Sequence, residues 1–85
     1  PPLMELMRAA LGLKSTSSVR LRGLYEKIVT SLGPETRVLT AVDINLIAEI
    51  HPRTARMINA YRTGEVQITP GGGGRYGRVE NGEQV

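Results

Sequence analysis

At 85 residues the chain has room for one small domain and none for a second. It contains no cysteine and a single histidine, His51, which excludes a disulfide framework, a thiolate metal site and any multi-histidine centre. The 11 basic residues exceed the 8 acidic ones by a net +3, and nine of those 11 are arginine, whose planar donor fork suits phosphate. Without Phe or Trp, the core has to be Leu, Ile, Val, Met and Ala. Leu3, Leu6, Met7, Ala10 and Leu11 follow the i, i+3, i+4 rhythm of a short helix, with Gly12 placed to end it. Lys14 to Ser18 is a polar linker offering Ser17 and Ser18 as N-caps. Leu21, Leu24, Tyr25, Ile28, Val29 and Leu32 mark a stronger second helix, stopped by Gly33-Pro34. Glu35 to Ala41 has room for one or two helical turns, with Pro34 tolerated at the first position.

Asp43 caps a helix from about Ile44 to Ile50, with Val42 able to staple onto Ile47. Pro52 opens the last helix, which runs to about Arg62 before Gly64 and turns Ala55, Ile58 and Tyr61 inward, with Met57 at the margin. The period then becomes alternating. Val66 and Ile68 predict a strand, Arg75 to Val79 its return, and Pro70 with Gly71 to Gly74 the turn. The expected fold is mainly α, a small bundle of four or five short helices with a helix-hairpin-helix-like pair and a C-terminal β-hairpin. One domain is expected over residues 1–79, with a disordered tail over 80–85. No apolar run approaches the roughly 18 residues of a membrane span and no secretory signal appears, so a cytoplasmic setting is expected. The start at Pro1-Pro2, without an initiator methionine, suggests a piece of a longer protein.

The segment Ile50-His51-Pro52-Arg53-Thr54-Ala55-Arg56-Met57-Ile58 is the most informative. Two short helices joined by a tight bend, with Pro-Arg-Thr-Ala opening the second, resemble the helix-hairpin-helix DNA-binding motif. A helix start exposes unpaired N–H groups and the positive end of its dipole, which together bind phosphate. Arg53 and Arg56 add charge, and the Thr54 hydroxyl is expected to donate to a phosphate oxygen. The departure is in the bend, where His51 and Pro52 stand in place of the motif's glycines. Lys14, Arg20 and Arg22 surround a second helix start.

Gly72 to Gly77 spells G-x-G-x-x-G, but the strand-before, helix-after context of a dinucleotide site is missing. It reads as a flexible hairpin turn that, with Arg75 and Arg78 beside it, can still touch a backbone phosphate. His51 reads as a cap or surface residue, and Asp43, the only aspartate, as an N-cap. No carboxylate pair, metal cluster or activated nucleophile can be assembled, so no catalytic residue, metal or cofactor is expected.

A family resemblance rests on Leu11-Gly12, Tyr25-Glu26 and Leu32-Gly33-Pro34-Glu35 running into Val38-Leu39. It continues through Ile47 to Ile50, Ile58 and Arg62-Thr63-Gly64-Glu65-Val66 to the ending Ile68-Thr69-Pro70-Gly71-Gly72-Gly73-Gly74-Arg75-Tyr76-Gly77. These residues, spanning about 3 to 79, resemble the C-terminal region of the endonuclease Q-like proteins, some of which have been labelled DNA helicase-related. The resemblance implies a longer parent with a polymerase-and-histidinol-phosphatase (PHP) type metal domain, nicking DNA beside deaminated bases such as uracil or hypoxanthine. The metal ligands would lie in the missing N-terminal part, and this piece would be the non-catalytic C-terminal helical domain.

The function expected is contact with the DNA backbone without sequence specificity, in service of a repair endonuclease elsewhere in the chain. Arg53, Thr54 and Arg56 are the first candidate phosphate ligands; Lys14, Arg20 and Arg75 are the second set. DNA and the missing catalytic domain are the expected partners. The alternative is a module that braces that domain or dimerises without touching DNA. The first reading expects Arg53, Arg56 and at least one of Lys14, Arg20 or Arg75 on one face; the second expects an exposed apolar patch of several hundred Å².

Overall fold

The computed structural model describes residues 1–69 and the backbone of 78–81. Among these residues there are five helices: α1 (Pro2–Leu11), α2 (Val19–Leu32), α3 (Glu35–Thr40), α4 (Ile44–Ile50) and α5 (Pro52–Arg62). Two strands follow, β1 (Val66–Thr69) and β2 (Arg78–Asn81), paired antiparallel with Val66 opposite Asn81 and Thr69 opposite Arg78. The mainly α fold with a terminal hairpin is therefore as the sequence predicts.

Local chemistry sets each helix end. The Gly12 backbone is left-handed (φ 71°), and the Gly12 and Leu13 N–H groups donate back to Ala9 and Arg8, closing α1. Gly64 (φ 83°) closes α5 in the same way, with Gly64 and Glu65 donating to Tyr61 and Ala60. Ser18, not Ser17, caps α2 by accepting from Leu21 N at 3.2 Å, and Asp43 caps α4 by accepting from Asn45 N at 2.8 Å. Pro34 is the N-cap of α3 and not its first helical residue.

The core draws on every helix: Leu3, Leu6 and Met7 from α1, Leu21 and Ile28 from α2, Val38 from α3, Ile47 from α4 and Ile58 from α5 are fully buried. Helix α5 lies at the centre, packed against α1, α3, α4 and β1. Its inward face holds the expected Ala55 and Ile58, both buried, with Tyr61 and Met57 partly buried against the core, and adds Thr54, which is fully buried. Of the predicted return strand 75–79, Arg78 and Val79 lie in β2 and residues 75–77 lie outside the described residues; the pairing also takes in Glu80 and Asn81, which the sequence assigned to the tail. The expected turn at 70–74 and residues 82–85 lie outside the described residues.

Two side chains pin the bundle. Glu35 accepts the Tyr25 hydroxyl at 2.7 Å and the Leu3 N–H at 3.3 Å, so one carboxylate joins α1, α2 and α3. That bond to Glu35, then burial and the nearby negative charge of Glu35 and Glu26, push the Tyr25 pKa up to about 12. Arg62 donates to Val38, Leu39 and Val42 carbonyls at 2.9, 3.0 and 2.7 Å, closing the C-terminal end of α3.

Among the described residues one glycine is unlike the others. Gly23 lies in the interior of α2 with ordinary helical φ, where glycine is roughly 0.5–1 kcal/mol less favourable than alanine. No helix among the described residues is long and apolar enough to cross a membrane.

Candidate nucleic-acid interface

Helices α4 and α5 are joined by one residue. His51 donates its backbone N–H to Ile47 O at 2.9 Å, ending α4, and its carbonyl accepts from Ala55 N at 3.1 Å, beginning α5. Its side chain completes the start of α5: Nδ1 accepts the Thr54 N–H at 3.1 Å and lies 2.8 Å from the Thr54 hydroxyl. A ring nitrogen that accepts an N–H carries no proton of its own, so the hydroxyl is the donor and the neutral ring holds its proton on Nε2. Of the two roles the sequence left to His51, cap or surface residue, the structure shows the cap.

The electrostatics agree with a neutral ring. Burial lowers the His51 pKa from the ordinary 6.5, and the positive charges of Arg53, Arg20 and Arg56 lower it further. Arg53 and Arg56 stand one turn apart on α5, and Arg20 comes from the first turn of α2, so charges on two helices distant in sequence act on one imidazole. All three arginines are exposed. Arg53 and Arg56 also line one wall of a shallow cleft of about 310 Å³ whose other wall includes Ala9, Ala10 and Glu65.

The expected role of Thr54 is corrected here. Its side chain is fully buried and its hydroxyl faces His51, so it supports the cap and does not meet a phosphate. The helix start is also less open than expected. Pro52 has no N–H, Thr54 gives its own to His51 Nδ1 and Ala55 to His51 O; among the described residues the Arg53 N–H alone in this turn has no such bond.

Lys14 is exposed in the α1–α2 connection and is not among the charges that act on His51. Arg75 lies outside the described residues, as does the whole G-x-G-x-x-G stretch. Two other arginines are structural, which the sequence reading missed. Arg62 holds α3, and Arg8 donates to the Leu13 carbonyl at 2.7 Å and pairs with Glu5 at 3.1 Å. The only advance signal was position, since each sits in the last turn of its helix where cations meet free carbonyls. Among the described residues no three His, Cys, Asp or Glu side chains are grouped to hold a metal ion. The arrangement offers fixed positive charge to an anionic oxygen.

Known proteins share this arrangement of elements. A crystal structure of endonuclease Q in complex with a 27-mer duplex substrate carrying an abasic lesion superposes with a TM-score of 0.81 at 36% identity, over 96% of this chain and 20% of that one. The lesion-specific endonuclease PfuEndoQ from Pyrococcus furiosus superposes with a TM-score of 0.73 at 35% identity, over 93% of this chain and 20% of that one. The uncharacterized protein MJ0043 of Methanocaldococcus jannaschii is 37% identical over 78 residues, 92% of this chain and 10% of that protein. The chain thus spans a tenth to a fifth of the proteins it matches, and the resemblance to endonuclease Q holds in three dimensions as well as in sequence. Residues 2–65 match the family described as the MJ0043 C-terminal domain, and the chain is a member of that family.

Proposed function

We propose that this domain is a non-catalytic DNA-contacting module of a DNA-repair endonuclease, gripping backbone phosphates without reading base sequence. The observation that carries the reading is the exposed pair Arg53 and Arg56, one turn apart at the start of α5, with Arg20 of α2 near enough for its charge to act on the same His51 cap. The α4–α5 pair plays the part of a helix-hairpin-helix, with His51 and Pro52 in the bend and the Arg53 N–H free to join the guanidinium groups on a phosphate oxygen. Similarity to an endonuclease solved with a duplex substrate supports DNA as the anionic partner. Lys14 and Arg75 belong to the outer margin of the same basic surface in this reading, and Thr54 acts only by holding His51.

The alternative bracing role has less support. Among the described residues only Val19 and Leu46 are large apolar side chains left exposed, far from the broad patch a domain-packing surface would need. Fluorescence anisotropy of labelled duplex across a salt series tests the proposal. Binding should weaken with salt at a slope of about −0.9 per phosphate contact, and Arg53→Ala/Arg56→Ala should make the slope shallower by about 1.8. Absence of binding at low salt, or a double variant that binds like the parent chain, refutes it.

A further inference from the structure

The face of α2 turned away from the core carries a glycine that nothing inside the chain requires. A Cβ built on Gly23 would meet no atom within 4 Å, and the backbone there is ordinary helix. Alanine would hold this helix better, so neither conformation nor internal packing accounts for glycine. Its neighbours on the helix surface are informative. At about 100° per residue, Val19, Gly23, Glu26 and Thr30 form the outermost ridge, with Arg20 and Lys27 along one edge and Arg22 along the other. All of them are exposed, Val19 to 83%. The strip is therefore low at its middle, apolar at its first residue and cationic by three charges to one. Near its N-terminal end is Arg20, whose charge also acts on His51, and α2 packs against α4, so the strip lies beside the α4–α5 elbow.

We infer that the outer face of α2 is a second contact surface for nucleic acid, where a sugar–phosphate strand crosses Gly23 at main-chain distance. Arg20 and Lys27 flank the strand and hold its phosphates, while Val19 packs against the sugar carbons. A side chain at position 23 lifts the strand off the helix and lengthens both charge contacts. This rests on the DNA-contacting reading above and widens the interface from the α4–α5 hairpin and Arg20 to the outer face of α2.

The test sets stability against affinity. Gly23→Ala, Gly23→Gln and Arg53→Ala/Arg56→Ala are each melted and titrated against labelled duplex at low salt. Both Gly23 variants should melt higher than the parent chain yet bind roughly threefold to tenfold more weakly, Gln more so than Ala. A higher melting temperature with undiminished affinity overturns the inference and leaves this face to a protein partner; if the double arginine variant still loses affinity, the elbow reading survives. Binding that ignores Arg53→Ala/Arg56→Ala sinks the elbow reading on its own, and no binding by the parent chain sinks both.

Discussion

The guanidinium of Arg62 donates through Nη2 to the carbonyl of Val38 at 2.9 Å, joining the last turn of α5 to a helix 24 residues earlier. The same fork reaches Leu39 and Val42 at 3.0 and 2.7 Å. Helix α3 has six residues, well below the length at which a helix holds itself in water, so its end depends on this outside donor. Arg62→Ala should destabilise the domain by about 2–3 kcal/mol, because the Val38, Leu39 and Val42 carbonyls lose their charged donor. Arg62→Lys should recover only part of that, since one ammonium cannot meet three carbonyls in a fork. Urea unfolding with an unchanged m-value checks both.

Stability should fall on mild acidification through His51. Above 6.5 the ring is neutral in both states and the cap contributes fully. As pH drops below 6.5, the unfolded chain takes up a proton that the folded cap resists, so stability is lost down to the lowered folded-state pKa. His51→Asn keeps a side-chain oxygen for the Thr54 N–H and should remove this share of the pH dependence, while His51→Ala should cost about 1 kcal/mol at neutral pH. Unfolding curves at about pH 7.5 and about pH 5 separate the three chains.

Tyr25 should act at the alkaline end. The folded state holds its hydroxyl proton up to about 12, against 10.0 for a free tyrosine, so the stabilisation is complete below 10.0 and is lost as pH rises from there toward 12. Glu35→Gln removes the anionic acceptor and should bring the Tyr25 titration back toward 10.0, visible as earlier tyrosinate absorbance. Glu35→Ala also deprives the Leu3 N–H of its partner and should destabilise by about 1–2 kcal/mol.

Arg20 and Lys14 should separate in DNA binding although both lie near the start of α2. Arg20→Ala removes a charge that reaches His51 and should make the salt dependence shallower by about 0.9. Lys14→Ala, at a site outside that group, should change the slope by less than half as much. Equal effects would mean that the contact surface is diffuse.

Helix ends were the most readable part of the fold, because their signals are local. Gly12, Ser18, Asp43, Pro52 and Gly64 each mark an end where the sequence places it, and the apolar spacing of α2 needs no tertiary context. The reading failed where distant partners decide the outcome. Nothing in the run Arg-Thr-Gly-Glu announces that Arg62 bonds to carbonyls of α3, or that Glu35 joins Tyr25 to Leu3. In the candidate site, the spacing of Arg53 and Arg56 one turn apart on α5 follows from sequence, whereas nothing there sets Arg20 apart from Lys14 as a charge that acts on His51. Thr54 was misread because its hydroxyl bonds to a cap whose own geometry depends on the bend.

His51 serves two helices with a single peptide unit on either side, giving its N–H to Ile47 and its carbonyl to Ala55. No residue between α4 and α5 is free to change φ and ψ without breaking a bond in one of them. The pair therefore behaves as one rigid lever, with its amides expected to exchange with solvent in a single cooperative opening. An elbow locked in this way fixes the backbone positions of Arg53 and Arg56 in advance, so that the contact proposed above requires little ordering of the backbone.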